Sequence, residues 1–162
     1  PMKRAWIQFA ILALVAVGAA CNPPIETDVE VIGTPGVGQS FYLAVKIDPD
    51  TPAEDAYGSC FDLLYDTAKM SFTGTVQINQ GSGLSFDYET HNYRNGQTDQ
   101  LVVCVSKEGQ VAGDNGSGEM VRLQFQGVAS GWTTVSFDEQ YLVYSTGNNG
   151  PIEMSDKSVN IQ

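Results

Sequence analysis

Apolar and polar residues alternate along most of the chain with a period of two. The pattern is cleanest over residues 41–47, where Phe41, Leu43, Val45 and Ile47 fall on one side and Tyr42, Ala44 and Lys46 on the other. Successive side chains of an extended strand point to opposite faces, so this stretch predicts a strand with one buried face. Residues 120–128 repeat it, with Val121, Leu123 and Phe125 inward and Arg122, Gln124 and Gln126 outward. Further strands are predicted over 28–32, 59–65, 71–78, 84–89, 100–106, 133–137, 141–145 and 158–161. Turn-forming runs separate them: Pro35-Gly36, Asp48-Pro49-Asp50, Asn95-Gly96, Asp114-Asn115-Gly116 and residues 147–151. No amphipathic helix is predicted after residue 20. About nine short strands at this spacing predict an all-β domain of two packed sheets, a sandwich or jelly roll. A single flat sheet would leave its apolar face in water.

The first twenty residues break the alternation. Lys3 and Arg4 precede an uncharged stretch, residues 5–17, in which only Gln8 is strongly polar. Val17-Gly18-Ala19-Ala20 then leads directly to Cys21. This is the organisation of a removable export signal, with small residues before the cleavage point. The apolar stretch is too short to predict a membrane-crossing helix. A Cys at the first mature position is similar to the bacterial lipobox, with Gly18 where Leu is usual. That resemblance implies a diacylglyceryl group on Cys21. Asn22 follows, so the usual inner-membrane retention Asp is absent. The expected organisation is a leader over 1–20, a lipidated Cys and short tether over 21–27, and one folded domain over 28–162. The expected location is the bacterial cell envelope, anchored by lipid, at the outer membrane.

Charge narrows the partners. The net charge is −11, and all 19 acidic residues follow residue 20, against six basic ones. Such a surface repels nucleic acid and anionic lipid alike. Any membrane attachment is left to the lipid. With Cys21 modified, Cys60 and Cys104 remain, and in an oxidising compartment a disulfide between them is the default.

Several runs, in order, resemble the cohesin domain, the receptor module that binds dockerins in cellulosomes. They are Val37-Gly38-Gln39-Ser40-Phe41, Phe61-Asp62-Leu63-Leu64-Tyr65-Asp66 with Lys69-Met70-Ser71-Phe72, Gly113-Asp114 through Gly118 with Val121-Arg122-Leu123-Gln124-Phe125, and Gly131-Trp132-Thr133-Thr134-Val135-Ser136-Phe137. The likeness covers about residues 28–162. It implies a nine-stranded jelly roll related to carbohydrate-binding modules, and a non-catalytic, protein-binding role. In that family one flat sheet face meets the partner. Its counterpart here would present Cys60, Asp62 and Leu64; Val102, Cys104 and Ser106; Ser85, Asp87 and Glu89; and Thr134, Ser136 and Asp138. Cys60 and Cys104 then fall on neighbouring strands of that face, which implies a cross-strand disulfide. Where dockerin-binding cohesins carry polar Asn or Asp just before the Phe61 run, this chain reads Gly58-Ser59-Cys60.

Residue by residue, Asp66 is expected to start a turn and Gly131 to occupy one. Catalysis finds little support: His91 is the sole histidine, and no Ser or Cys and acid group with it in sequence. The glycine-rich run 113–118 lacks the Lys-Ser/Thr end of a phosphate loop. No zinc spacing is present. Calcium has two candidate loops, one with Asp48, Asp50, Glu54 and Asp55 and one with Asp114, Asn115 and Glu119. A carbohydrate-binding module is the alternative to protein docking. It would stack sugar rings on exposed aromatics, for which Trp132, Tyr57, Tyr93, Tyr141 and Tyr144 are the candidates. A structural lipoprotein without a discrete ligand is the third reading.

Overall fold

The computed structural model describes residues 24–80 and 83–162. The leader and Cys21 therefore lie outside the described residues. Twelve strands form two sheets: β1 (Ile25–Ile32), β2 (Ser40–Ile47), β3 (Ala53–Leu64), β4 (Met70–Gln77), β5 (Tyr88–Tyr93), β6 (Gln100–Ser106), β7 (Asp114–Gly116), β8 (Gly118–Gly127), β9 (Gly131–Tyr144), β10 (Asn149–Gly150), β11 (Ile152–Met154) and β12 (Lys157–Ile161). One sheet runs β11-β1-β2-β8-β4 and the other β10-β9-β3-β6-β5, with β12 paired to β9 and β7 to β3. The prediction was about nine strands; β7, β10 and β11 are the additional short pieces, of two or three residues each.

The alternation explains the packing. Phe41, Leu43, Val45 and Ile47 from β2 and Val121, Leu123 and Phe125 from β8 are all buried and meet the opposite sheet. That sheet contributes Phe61 and Leu63, then Leu101, Val103 and Val105, then Val135 and Leu142. Phe125 is the aromatic hub. Its ring lies 5.0 Å from Tyr65, 5.6 Å from Phe72 and 6.2 Å from Phe41, centroid to centroid. Such ring pairs add to the burial of apolar area that drives the two sheets together. Burial also pushes the Tyr65 phenol well above its ordinary pKa, with Tyr93 beside it contributing.

Several boundaries differ from the sequence reading. β1 begins at Ile25, and Ile25, Glu26 and Thr27 pair in parallel with Ile152, Glu153 and Met154. Those three residues are thus within the sheet and not in a tether. The strands predicted over 133–137 and 141–145 are one strand, β9, interrupted at Glu139, whose φ of 46° is left-handed. The strand predicted over 84–89 starts only at Tyr88. Leu84 and Phe86 are buried as the alternation requires. The Phe86 backbone, however, is paired with a side chain: the Asn79 amide donates to its carbonyl at 2.7 Å and accepts its N–H at 2.8 Å. An Asn side chain here does the work of a neighbouring strand.

Turn chemistry follows the expected residues. Asp66 Oδ1 accepts the Ala68 N–H at 2.9 Å, and the Asp66 carbonyl accepts Lys69 and Met70 N–H at 3.0 Å. Gly131 has φ 117°, a conformation that glycine adopts without strain. The end of the sandwich near β7 is tied by Asp55. Its carboxylate accepts the Gly113 N–H at 2.9 Å, the Ser145 N–H at 3.1 Å and the Ser145 hydroxyl at 2.7 Å. These bonds, the Ser145 hydroxyl first, hold Asp55 below the ordinary carboxylate pKa.

A carboxylate with a depressed native pKa stabilises the fold fully above its unfolded value, near 3.9, and loses that contribution as the pH falls through the native value. Urea midpoints measured from pH 7 down to pH 2 should therefore fall for the native chain below about pH 4. Asp55→Asn should start lower at pH 7 and fall less, so that the two curves converge in acid.

Candidate functional site

The outer face of the β9-β3-β6-β5 sheet is built from transverse rows. Tyr141, Cys60, Cys104 and Thr90 face one another across the four strands. On one side of that row lie Gly58, Ser106 and Tyr88; on the other lie Asp138, Asp62, Val102 and Asn92. Leu64 opposes both Ser136 and Gln100 in the last row. Cys60 and Cys104 are directly opposed with Cα atoms 4.1 Å apart, and they form a disulfide. The bridge sits on the outer face, half-buried, with Tyr141 beside it.

Asp62 is the unexpected member. It points to the outer face but is only 1% exposed. A single 3₁₀ turn after β5, Arg94–Gly96, places a guanidinium over it. Arg94 Nη2 lies 2.7 Å from Asp62 Oδ1, and Nε faces Oδ2. Gln100 Nε2 donates to Oδ2 at 2.7 Å. Arg94 also reaches Glu139 on the β9 bulge. Its pKa is raised, first by the bond to Asp62. The turn that carries Arg94 closes through Asn95 (φ 51°) and Gly96 (φ 76°), the Asn-Gly pair that suits left-handed backbone. One Arg thus reaches from the β5 end of the sheet to β3 and β9.

The predicted face residues are distributed as follows. Leu64, Val102, Ser106 and Ser136 are half-buried on the outer face, and Thr134 is exposed near β12. Asp62 is on that face but enclosed. Asp87 precedes β5, and its carboxylate accepts the Glu108 N–H at 2.9 Å. Glu89 points the other way from the prediction. It opposes Val105, a core residue, and so lies on the inner side, where it meets His91 at 2.9 Å. The reason is the start of β5 at Tyr88: its outer residues are Tyr88, Thr90 and Asn92. Arg94 and Glu139 had no place in the sequence reading. The available signal was a solitary Arg beside an Asn-Gly turn in a chain poor in cations.

Four carboxylates of the two calcium loops are engaged elsewhere. Asp48 Oδ1 accepts the Asp50 N–H at 2.8 Å, and Asp55 is tied as described. Asp114 pairs with Lys107 at 2.9 Å and Glu119 with Arg122 at 2.8 Å. Among the described residues no group of three or more His, Cys, Asp or Glu converges as a metal site. The aromatics are dispersed as well. The Tyr144 ring packs on Gly150, where a Cβ would lie 2.2 Å from its hydroxyl. Tyr57 donates to the Gly109 carbonyl, and Tyr93 packs against the core. Trp132 is 71% exposed, but Tyr141 lies nine positions further along β9, about 30 Å at strand rise. A cleft of about 770 Å³ lies elsewhere, between Asp50, Glu54, Asp55 and Tyr144 near Ile25.

No family model matches the sequence, and no curated protein matches it. Solved structures do. A cohesin from Clostridium acetobutylicum aligns with TM-score 0.68 and 15% identity over 86% of this chain and 92% of its own. A type I cohesin–dockerin complex from Clostridium thermocellum contains a chain at TM-score 0.68 and 14% identity, over 89% and 97%. A non-cellulosomal cohesin from Archaeoglobus fulgidus aligns at TM-score 0.64 and 14%, over 85% and 91%. The described domain is a cohesin-like jelly-roll sandwich.

The enclosed pair makes an asymmetric stability prediction. Arg94→Ala strands a buried carboxylate and should be the more destabilising of the two single variants. Asp62→Ala leaves the half-exposed Arg94 able to find water and should cost about 2 kcal/mol. In urea denaturation the double variant should be no less stable than Arg94→Ala alone.

Proposed function

We propose that this domain is a non-catalytic module that docks a protein partner of dockerin type on the outer face of β9-β3-β6-β5. The observation that carries the reading is the surface itself. An apolar row of Tyr141 and the disulfide adjoins a fixed Arg94–Asp62–Glu139 network, with Val102 between them and the edge strand. Mixed faces of this kind, with Tyr and Arg at the centre, suit protein recognition. The face is held before any partner arrives, by a cross-link and by the half-exposed Arg94 over the enclosed Asp62, so little ordering remains to oppose association. The C. thermocellum neighbour was solved as a cohesin–dockerin complex, which supports the choice of partner class.

Size adds a condition. Four strands at about 4.8 Å and seven residues at about 3.3 Å make a face of roughly 20 Å by 20 Å. A stable interface buries about 800 Å² on each side. The partner must therefore also engage surrounding loops, of which the Arg94 turn is the nearest. The proposal includes attachment to a bacterial envelope through a lipid on Cys21. That attachment rests on the sequence pattern of residues 1–21 alone.

Two experiments test the reading. The immobilised chain should capture a calcium-loaded dockerin from a panel, and Val102→Arg should weaken capture by about tenfold or more without changing thermal unfolding. Absence of capture across the panel, or equal capture by Val102→Arg, refutes docking at this face. For the anchor, Cys21→Ser expressed in a bacterial host should move the chain from the detergent phase to the aqueous phase on phase partition. Retention in the detergent phase refutes lipidation.

A further inference from the structure

β5 is an open sheet edge of six residues, paired to β6 in an unbroken antiparallel register. Tyr88, Thr90, His91 and Asn92 are exposed. Exposed edges are normally blunted by bulges, Lys, Pro or brevity. The other edges here follow that rule. β4 is broken by a bulge between Phe72 and Val76, and β10 and β11 are two and three residues long. β12 carries Lys157, and its end is pinned by Gln162 to Pro35 and Val37. The sequence of β5, Tyr-Glu-Thr-His-Asn-Tyr, has no bulge, Lys or Pro, and its one inward-pointing carboxylate is Glu89.

We infer that the β5 edge pairs antiparallel with the β5 edge of a second copy of this chain, around a twofold axis at Thr90. The charges select the occupant and the register. Centring on Thr90 sets Glu89 opposite His91 of the second copy, twice, and Tyr88 opposite Asn92 of the second copy, twice. Centring on Glu89 would oppose two carboxylates, and like charges directly opposed are destabilising; centring on His91 would set Glu89 opposite Tyr93 of the second copy, away from the imidazole. Registers centred between residues would set the core side of one copy beside the outer face of the other. The Thr90 register is self-complementary in both side-chain pairing and face, as an isologous contact requires. The strand also ends where this pairing ends: the Tyr93 N–H is already taken by Asn92 Oδ1 at 2.8 Å. On the inner side, His91 is set by its edge-to-face contact with Phe72, 5.3 Å between centroids, and by Glu89 at 2.9 Å. The four side chains of two copies thus form one alternating cluster. The result is a continuous sheet with two outer faces side by side and facing the same way. This pairing is independent of whether those faces dock a partner.

The net charge of −11 opposes contact at long range. The measurement therefore belongs at about 0.15 M salt, where screening acts beyond roughly 8 Å. Sedimentation velocity over micromolar to millimolar chain should give a monomer–dimer equilibrium. Glu89→Lys and His91→Glu should each weaken the dimer by about tenfold or more, since two equivalent pairs are lost per dimer. The double variant, with the charges exchanged, should return to within about threefold of the native constant, which also shows that the single variants fail by charge and not by misfolding. A chain that remains monomeric throughout, a dimer that neither single variant weakens, or a double variant that does not recover overturns the inference.

Discussion

The disulfide between Cys60 and Cys104 joins β3 to β6 at directly opposed positions, in the middle of the sheet and on its outer side. Side chains in a strand alternate with a period of two, so a slip of one residue would carry Phe61 and Leu63 into water and Asp62 into the core. The covalent bond removes that alternative. It also closes a loop whose ends are 44 positions apart in sequence, which restricts the unfolded chain and stabilises the fold by about 4 kcal/mol on the chain-entropy argument. β3 in turn is the partner of β9 on its other side, so the rows of the whole outer face inherit their alignment from this register.

The same register explains why an enclosed carboxylate is tolerated. Asp62 is flanked by Val102 and Asp138, neither of which can donate to it. It is satisfied from a distance, by an Arg on the turn after β5 and a Gln at the start of β6. A buried ion pair contributes little net stability compared with apolar packing, but removing one member is costly. Its effect is therefore geometric. It fixes the Arg94 turn and the Glu139 bulge to one another, and both rise from the face that the disulfide flattens.

How much of this could be read in the sequence depends on the range of the interaction. The two-sheet core was legible because alternation is local: β2 and β8 lie where Phe41–Ile47 and Val121–Phe125 place them. The cross-strand position of the two cysteines was legible through the likeness to cohesins. The start of β5 was not. Leu84, Phe86 and Tyr88 continue the alternation without a break, and nothing local announces that the Asn79 amide, seven residues earlier, replaces a strand there. Glu89 was misassigned to the outer face for that reason. Arg94 was missed because its function depends on a carboxylate 32 residues away. The acidic loops show a related limit: their oxygens could be counted in the sequence, but which N–H or cation each would meet, as Asp55 meets Ser145, could not.

The parallel pairing of Ile25, Glu26 and Thr27 with β11 has a mechanical side. Three residues lie between Cys21 and the first residue of the sheet, a span of at most about 14 Å of extended chain. A pull from the N-terminal side therefore reaches β1 with almost no slack to absorb it. β1 is held on both edges, by β11 and by β2, and its hydrogen bonds lie across the direction of the strand. Force along β1 loads those bonds in shear and together, whereas a hairpin pulled from its open end unzips bond by bond. The strand nearest the proposed anchor is in this sense the one best placed to bear tension.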